Sequence, residues 1–312
     1  MRKCALAVLA IFFALPAVAQ QKPDWSKVEV KVQKLTDNVY ELQFTNGTAA
    51  NVGGNVGAFV GDDGIAIVDA GYLPAAEKLE AALKTISDKR VRYVLNTHYH
   101  PDHSEADAYF GKTATIIGQD NMRKKKESGS KAYPPSPAIS LPVITFSDRL
   151  TLHINGGEIQ AIHFARGHTG GDSIYFFPQG KVVQTGDDFV NWEQTGFPAI
   201  DMEGDGSGGV QGQIDVAEYI IAHAPDDVKI IPGHGILGSK EDLRKELDVL
   251  KGTSAAVQAG IDQGKTLDQL KQEHVLAKWD NLNTHIKTDV YLEHLYNALK
   301  NKNGGANSGG AQ

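Results

Sequence analysis

The sequence predicts an α/β fold in which two β-rich halves stack against each other. Short segments that alternate apolar and polar residues recur from residue 28 to residue 231, and segments with helical periodicity separate them. The chain also contains a weak internal repeat, in which a hairpin, an aspartate, a helix, a strand and a histidine follow one another twice. The aspartate and the histidine are Asp69 and His98 in the first copy, and Asp187 and His234 in the second. Chance similarity is the competing explanation, but the repeat places polar residues of both halves along one seam.

Hairpins are predicted over residues 28–44 and 55–68, followed by a helix over 74–87 and a buried strand over 91–95. A basic run, Arg123 to Lys126, lies in a predicted helix and is expected to be a solvated helix face. The remaining predictions are helices at 102–110, 119–128, 211–223, 240–252, 266–277 and 284–300, strands at 113–117, 143–146, 150–154, 158–164, 173–177, 181–184 and 228–231, and a loop at 128–142.

Residues 1–19 have the parts of a secretory signal peptide. Arg2 and Lys3 form a positive segment, residues 5–15 a short apolar core, and residues 17–19 an A-x-A cleavage site. We therefore expect a periplasmic or secreted mature protein that starts at Gln20 and has no stable membrane association. An uncleaved membrane anchor is the alternative, which the short apolar core disfavours.

Composition limits what the mature chain can be. The 312 residues are 41% hydrophobic and 22% charged, which is ordinary for a globular protein. Cys4 lies in the leader, so disulfides and thiolate ligands are excluded. Removing Arg2 and Lys3 changes the formal charge from −7 to −9, and an acidic chain is a poor candidate for nucleic-acid binding, which depends on Lys and Arg. The sequence specifies no oligomeric state.

Residues 96–103 concentrate metal-binding side chains directly after a predicted strand. They include His98, His100, Asp102 and His103. On an extended backbone, residues two apart point to the same side, so His98 and His100 can bind one ion. Pro101 then bends the chain and turns the next two side chains toward the same pocket, which suggests a second ion.

Three more metal-binding side chains, His168, Asp187 and His234, follow later strands in turns of small residues. Three neutral nitrogens suit one Zn²⁺ with an open fourth position. Asp187 can bridge that ion and a second one, and two ions about 3.5–4 Å apart would activate a bridging water for hydrolysis. The first ligand set is His98, His100 and His168, and the second is Asp102, His103 and His234. Histidines expected to be structural are His153, His163, His223, His274, His285 and His294.

The order and spacing of these motifs resemble the metallo-β-lactamase superfamily over roughly residues 28–250. The resemblance implies a four-layer αβ/βα sandwich with mixed, mostly antiparallel sheets and a catalytic domain over 28–250. Helices over 251–300 are expected to pack on that domain, and a disordered tail is expected over 301–312. The resemblance also implies a metal-bridged hydroxide as nucleophile and Asp102 as both ligand and proton shuttle. Asp69 would orient the ligands through hydrogen bonds.

Departures from the family pattern bear on the substrate, which the fold does not decide. The electron-transfer branch carries Glu where this chain has His100, and the best-known zinc β-lactamases carry Cys where Asp187 stands, with a nearby Lys that is absent here. An Asp at this position resembles the thioesterase, lactonase and phosphodiesterase branches. In contrast, the segments around His168 and His234 are similar to β-lactamase sequences, and the predicted export is also a property of those enzymes.

We therefore expect a dinuclear zinc enzyme that hydrolyses a cyclic amide or ester in a small molecule, with β-lactams among the candidates. A glyoxalase II-like thioesterase, a mononuclear iron sulfur dioxygenase with one Fe²⁺, and a non-catalytic metal-binding protein are the alternatives. Residues 191–209, with Trp192 and Phe197, are expected to form a wall of the pocket. Residues 45–55 are a candidate flap, with a flexible connection as the alternative.

Overall fold

Two β-sheets pack face to face, with helices on their outer faces. The computed structural model describes residues 23–46, 52–192, 196–200 and 206–304. One sheet contains seven strands in chain order between residues 29 and 146, and the other contains five strands between residues 149 and 231. This arrangement confirms the predicted α/β fold with two mixed sheets.

In the first sheet, four strands form an antiparallel meander, and three parallel strands continue it. Parallel neighbours require crossover segments, which contain the four helices of this half. The strands are β1 (Glu29–Lys34), β2 (Val39–Thr45), β3 (Val56–Gly61), β4 (Gly64–Val68), β5 (Val91–Leu95), β6 (Thr115–Gln119) and β7 (Ile144–Phe146), and the helices are α1 (Ala76–Lys84), α2 (Pro101–Ser104), α3 (Asp107–Phe110) and α4 (Asp120–Ser128).

In the second sheet, four antiparallel strands are followed by one parallel strand at the edge. A long helix makes the crossover to that last strand. The strands are β8 (Arg149–Ile154), β9 (Gly157–His163), β10 (Ser173–Phe176), β11 (Val182–Gln184) and β12 (Lys229–Ile231), and the helices are α5 (Val210–His223), α6 (Lys240–Asp262), α7 (Leu267–Gln272) and α8 (Thr288–Gly304).

Strand alternation produces the layers. In β4, Ile65 and Ile67 face outward against Leu79 of α1, whereas Ala66 and Val68 face the second sheet. A third apolar cluster covers the outer face of the second sheet and includes side chains from α5, α6 and α8. The protein therefore has two helical layers outside two sheets, and its polar residues collect where the strands end.

The C-terminal helices differ in length from the predicted ones. Gly252 does not end α6, which continues to Asp262. A Cβ at Gly252 would lie 2.7 Å from the Trp279 ring, so the glycine allows the helix and this ring to pack closely. Helix α7 stops before His274, whose φ of 49° is left-handed. Helix α8 begins at Thr288 and extends to Gly304, four residues into the expected tail. Residues 305–312 lie outside the described part, as do residues 1–22.

The predicted helix over 102–110 is wrong, since the structure has the two single turns α2 and α3. The His103 carbonyl accepts from the N–H groups of Ala70 and Gly71 at 2.8 and 3.2 Å, and the Ala106 N–H donates to Gly71 O at 2.9 Å. These bonds engage backbone groups that a continuous helix would use. The loop from Asp69 is thereby fastened to the ligand-bearing segment.

The basic run is also not wholly a solvated helix face. Lys126 is only 3% exposed, and its Nζ lies 2.6 Å from Asp107 Oδ2 and 3.0 Å from Ser104 O. Asn96 Nδ2 donates to the other Asp107 oxygen at 3.2 Å. The sequence of the basic run does not reveal the ion pair between Lys126 and Asp107, because Asp107 lies on a different helix.

Glu41, in β2, is buried between the sheets and gives a test by pH. One carboxylate oxygen accepts from Gln43 Nε2 at 3.2 Å, and the other has no hydrogen-bond partner among the described residues. Burial raises the pKa of Glu41 from its ordinary value of 4.5 to about 7. Because the folded-state pKa is raised, the contribution of Glu41 to stability is largest below about pH 4.5 and falls as pH increases toward about 7.

We expect Glu41→Gln to be more stable than the wild type at pH 8, by about 2–3 kcal/mol, with little difference at pH 5. Urea unfolding of both proteins at the two pH values measures this. Equal pH dependence in the two proteins would show that Glu41 is not the responsible group.

Candidate metal centre

The predicted ligands converge at one edge of the two sheets. His98, His100, Asp102 and His103 follow β5 directly, and Asp187 lies in a 3-10 turn, Gly186–Asp188, after β11. His234 follows β12, which pairs in parallel with β11, so both strands end on the same side. The candidate ligands form the two predicted groups: His98, His100, His168 and Asp187 in one, and Asp102, His103 and His234 in the other.

The first group is compact and buried. His100 Nδ1 lies 3.0 Å from His98 Nε2 and 3.0 Å from His168 Nε2. A tetrahedral ion with bonds of about 2.0–2.1 Å separates its ligand atoms by roughly 3.3 Å. The three nitrogens are therefore spaced as an ion of this size requires.

The second group contains a carboxylate and is more accessible. His234 Nε2 lies 3.0 Å from Asp102 Oδ2 and 3.4 Å from His103 Nε2. The side chains of Asp102 and His234 are 19% and 14% exposed. This half of the centre therefore faces the solvent from which a substrate would come.

The two carboxylate oxygens of Asp187 face different groups. Oδ2 lies 3.4 Å from His168 Nε2, and Oδ1 lies 3.2 Å from His103 Nε2 and 3.5 Å from His234 Nε2. Gly233 packs on this carboxylate so closely that a Cβ there would lie 1.9 Å from Oδ1. A single Asp is thus held where it can bridge two ions.

The site's charges divide in the same way. Burial holds the pKa values of His98 and His168 below the ordinary range and keeps these rings neutral. Burial opposes the charged form of His103 and His234 too, but nearby carboxylates, Asp187 first, raise their pKa values. Neutral imidazole is the metal-binding form, so an ion in the second group would compete with protons.

Asp69, which was predicted to orient the ligands, is buried and contacts both His103 and the residue before His98. Its buried carboxylate accepts from the Thr97 N–H and hydroxyl at 2.8 Å each, and lies 2.9 Å from His103 Nδ1. Gln184 Nε2 also donates to it at 3.3 Å. Fixing Nδ1 directs Nε2 of His103 toward the site.

Sequence reasoning missed the residues behind His168. Its backbone N–H donates to Asp188 Oδ1 at 2.8 Å, and its Nδ1 lies 2.8 Å from Ala199 O. Asp188 and Asp172 are both buried, and burial raises their pKa values. The position of Asp188 beside Asp187 was the available signal, but one acid next to a ligand does not reveal which carboxylate faces inward.

The described end of the candidate flap, residues 52–55, is buried and fastened instead of mobile. Gly54 N–H donates to Asp102 O at 3.0 Å, and Asn55 N–H donates to Gly233 O at 2.8 Å. Asn55 Nδ2 also donates to Pro232 O at 3.0 Å. This segment therefore connects the second ligand group to the turn before His234, while residues 47–51 lie outside the described part.

A side chain at Gly54 would displace His103, because its Cβ would lie 2.3–2.7 Å from imidazole atoms. We expect Gly54→Ala to lower the affinity of the second group for Zn²⁺ about tenfold or more. Zinc titration against a chromophoric chelator measures this. Gly53→Ala is the matched control, since its Cβ would make only ordinary contacts, the shortest 3.5 Å. Equal affinities for the two variants would refute the packing argument.

Trp192 lies at the centre, but Phe197 does not line an open wall. The Trp192 ring stacks on the His234 ring with centroids 5.7 Å apart. Phe197 is fully buried and stacks on Tyr291 at 4.3 Å, because apolar residues of α8 cover it. The prediction for Phe197 is therefore wrong. Residues 193–195 and 201–205 of the expected wall lie outside the described part.

Comparisons with known proteins agree with this geometry. Residues 50–234, more than half of the chain, match the family described as the metallo-beta-lactamase superfamily. A metallo-beta-lactamase type 2 of Elizabethkingia meningoseptica is 26% identical over 194 residues, covering 59% of this chain and 70% of that protein. The chain belongs to the metallo-beta-lactamase superfamily. It is a hydrolase of that superfamily with a candidate metal site.

Solved structures share the fold. A metallo-beta-lactamase from Pontibacter korlensis superposes with a TM-score of 0.59 at 18% identity. DIM-1 metallo-beta-lactamase and TMB-1 each give 0.58 at 17%. Each of the three alignments covers 72% of this chain and 99% of the other.

Proposed function

We propose that this protein is an exported dinuclear zinc hydrolase that opens a cyclic amide or ester in a small molecule, with β-lactams among the candidate substrates. The placement of Asp187, with one oxygen toward each ligand group, is the observation that carries the proposal. Bound zinc ions would supply an activated water and polarise the substrate carbonyl.

Asp102 is the residue we assign to proton transfer. Its Oδ2 is 3.0 Å from His234 Nε2, and its side chain is the most exposed of the acidic ligands. His103 and His234 lower its pKa against the opposing effect of burial, so it is ionised at neutral pH. A carboxylate in this place can accept a proton from water and hold it near the leaving group.

Two ligand groups favour two ions over the single iron of a dioxygenase. The second group has three ligand atoms of its own, and Asp187 can add a fourth. A non-catalytic zinc site is also disfavoured, because structural zinc sites are commonly rich in cysteine and neither ligand group contains one. A thioesterase uses the same ligands and stays the second candidate.

Export rests on the N-terminal sequence, which lies outside the described residues. Within the described part, none of the helices has the length and apolar character needed to cross a membrane. The proposal predicts that the protein purified from a periplasmic fraction begins at Gln20, which N-terminal sequencing tests.

Metal content and a substrate panel test the proposed chemistry. We expect about two zinc ions per chain by inductively coupled plasma mass spectrometry. Turnover of a chromogenic cephalosporin or a lactone would support the cyclic amide or ester, and turnover of a thioester alone would support the second candidate. One iron per chain, or no hydrolysis across the panel including a phosphodiester, would contradict the proposal.

A further inference from the structure

His234 differs from three other histidines of the centre in how its ring is held. The Nδ1 atoms of His98, His103 and His168 lie 3.0, 2.9 and 2.8 Å from Thr97 Oγ1, Asp69 Oδ2 and Ala199 O. For His234, no hydrogen bond from Nδ1 to a described residue is present, and its ring is the most exposed of these four. Its Nε2 lies 3.0 Å from Asp102 Oδ2 on the side of the ligand group, so the contacts that hold the rest of the ring are with neighbouring rings.

Trp192 provides such a contact and also touches a second imidazole. Its ring centroid lies 5.7 Å from that of His234 at an interplanar angle of 19° and 4.3 Å from that of His285 at 21°. Near-parallel rings at such separations are attractive and resist rotation of the rings they cover. Trp192 therefore packs on His234, and His285 packs on Trp192.

Backbone hydrogen bonds also fix the position of Trp192 relative to His234. Asn191 N–H donates to His234 O at 2.9 Å, and Ile236 N–H donates to Asn191 O at 2.8 Å. Gly196 has no side chain, and a Cβ there would lie 2.7 Å from the Trp192 ring and 3.0 Å from Thr284 Oγ1. The glycine thus allows the segment before α8 to approach Trp192.

His285 comes from a part of the chain outside the family match, which ends at residue 234. It lies between a 3-10 turn, Ala277–Leu282, and α8, and its neighbour Ile286 packs on the apolar cluster of the second sheet. The C-terminal helices thereby place an imidazole beside a candidate metal centre formed by other segments.

We propose that His285 is a positioning residue of the second ligand group. By packing on Trp192, which packs on His234, it holds the His234 ring with Nε2 directed at the ion, the task that hydrogen bonds perform for His98, His103 and His168. The C-terminal helices are then part of the metal centre as well as a covering of the sheet. This inference rests on the proposed two-ion site.

Zinc affinity is the measurement that isolates this role. With Zn²⁺ alone as probe and a chromophoric chelator as competitor, we expect His285→Ala to weaken the second ion about tenfold and leave the first unchanged. His285→Phe keeps a flat ring and should restore the affinity to within about twofold, whereas Trp192→Ala should lose at least as much as His285→Ala. His153→Ala, which removes an exposed imidazole on β8, is the matched control.

Two outcomes overturn the inference: unchanged zinc affinities in His285→Ala, or equal losses in His285→Ala and His285→Phe. Thermal unfolding of the metal-free proteins separates misfolding from a lost clamp, because the clamp predicts similar midpoints and different zinc affinities. The proposed function fails separately, when the wild type itself binds fewer than two zinc ions. In that case His285→Ala would leave the single ion unaffected, and the positioning role would fail too.

Discussion

Replacing Asp187 by Ala is expected to remove at least one metal ion and to lower turnover by more than about 100-fold. Partners behind the ligands typically contribute about 10–100-fold to metal affinity or activity, and a bridging ligand should exceed them. Asp187 Oδ1 lies 3.2 Å from His103 Nε2, and Oδ2 lies 3.4 Å from His168 Nε2. Loss of this one side chain therefore weakens both groups, whereas loss of any histidine weakens one.

Charge and size can be separated with Asp187→Asn, which keeps the shape and removes the negative charge. We expect it to retain the first ion better than Asp187→Ala, because Asn keeps one side-chain oxygen beside the three imidazoles of that group, whereas Ala supplies no ligand atom. Asp62→Ala, which removes an exposed acid in the turn between β3 and β4, is the control for a simple change in net charge. An Asp187→Ala protein with two ions and full turnover would remove Asp187 from the site.

The ligands could be predicted from the sequence because their signals are local. His98 and His100 are two residues apart after a strand, and a two-residue period decides which side they face. The turns that carry Asp187 and His234 likewise follow strands with clear apolar patterns. The pattern supplied the candidate ligands and the division of the chain into two β-rich halves.

The surroundings of the ligands could not be predicted, since they depend on segments distant in sequence. His285 lies 93 residues after Trp192 in the sequence, and the two rings meet only because α8 packs on the second sheet. Phe197 was expected at the pocket, but an aromatic residue in a loop is equally suited to the core, and Tyr291 covers it. Gly54 lies in a Gly- and Asn-rich segment that is typical of a flexible connection. In the structure, the glycine is needed because a side chain there would collide with the His103 ring.

Asp69→Asn is expected to have the second-largest effect, through the second ligand group. The backbone at Asp69 has a φ of 64°, a left-handed conformation that Asn tolerates and Ala does not. Four donors or ring atoms from Thr97, His103 and Gln184 converge on its two oxygens. Oδ1 accepts only from the Thr97 N–H, whereas Oδ2 faces the Thr97 hydroxyl, His103 Nδ1 and Gln184 Nε2. An amide replaces one of these acceptors by a donor, so at least one group loses its partner in a buried site, at a cost of about 1–3 kcal/mol.

Whether Asp69→Asn changes zinc affinity or thermal stability depends on which hydrogen-bond partner is lost. If the amide nitrogen faces His103, the ring loses the contact that fixes its orientation, and zinc affinity of the second group falls about 10–100-fold. If the amide nitrogen takes the Oδ1 position instead, the Thr97 N–H loses its acceptor, and the loss appears in the thermal stability of the metal-free protein.

Chelator competition and thermal unfolding of the same samples distinguish these cases. Asp62→Asn, in the exposed turn between β3 and β4, is the matched control for removing one negative charge. An Asp69→Asn protein with unchanged zinc affinity and unchanged stability would mean that the buried carboxylate does not orient the centre. Asp69 contacts both the ligand-bearing segment and the second sheet. Such a result would therefore mean that the metal ions themselves position the ligands when they bind.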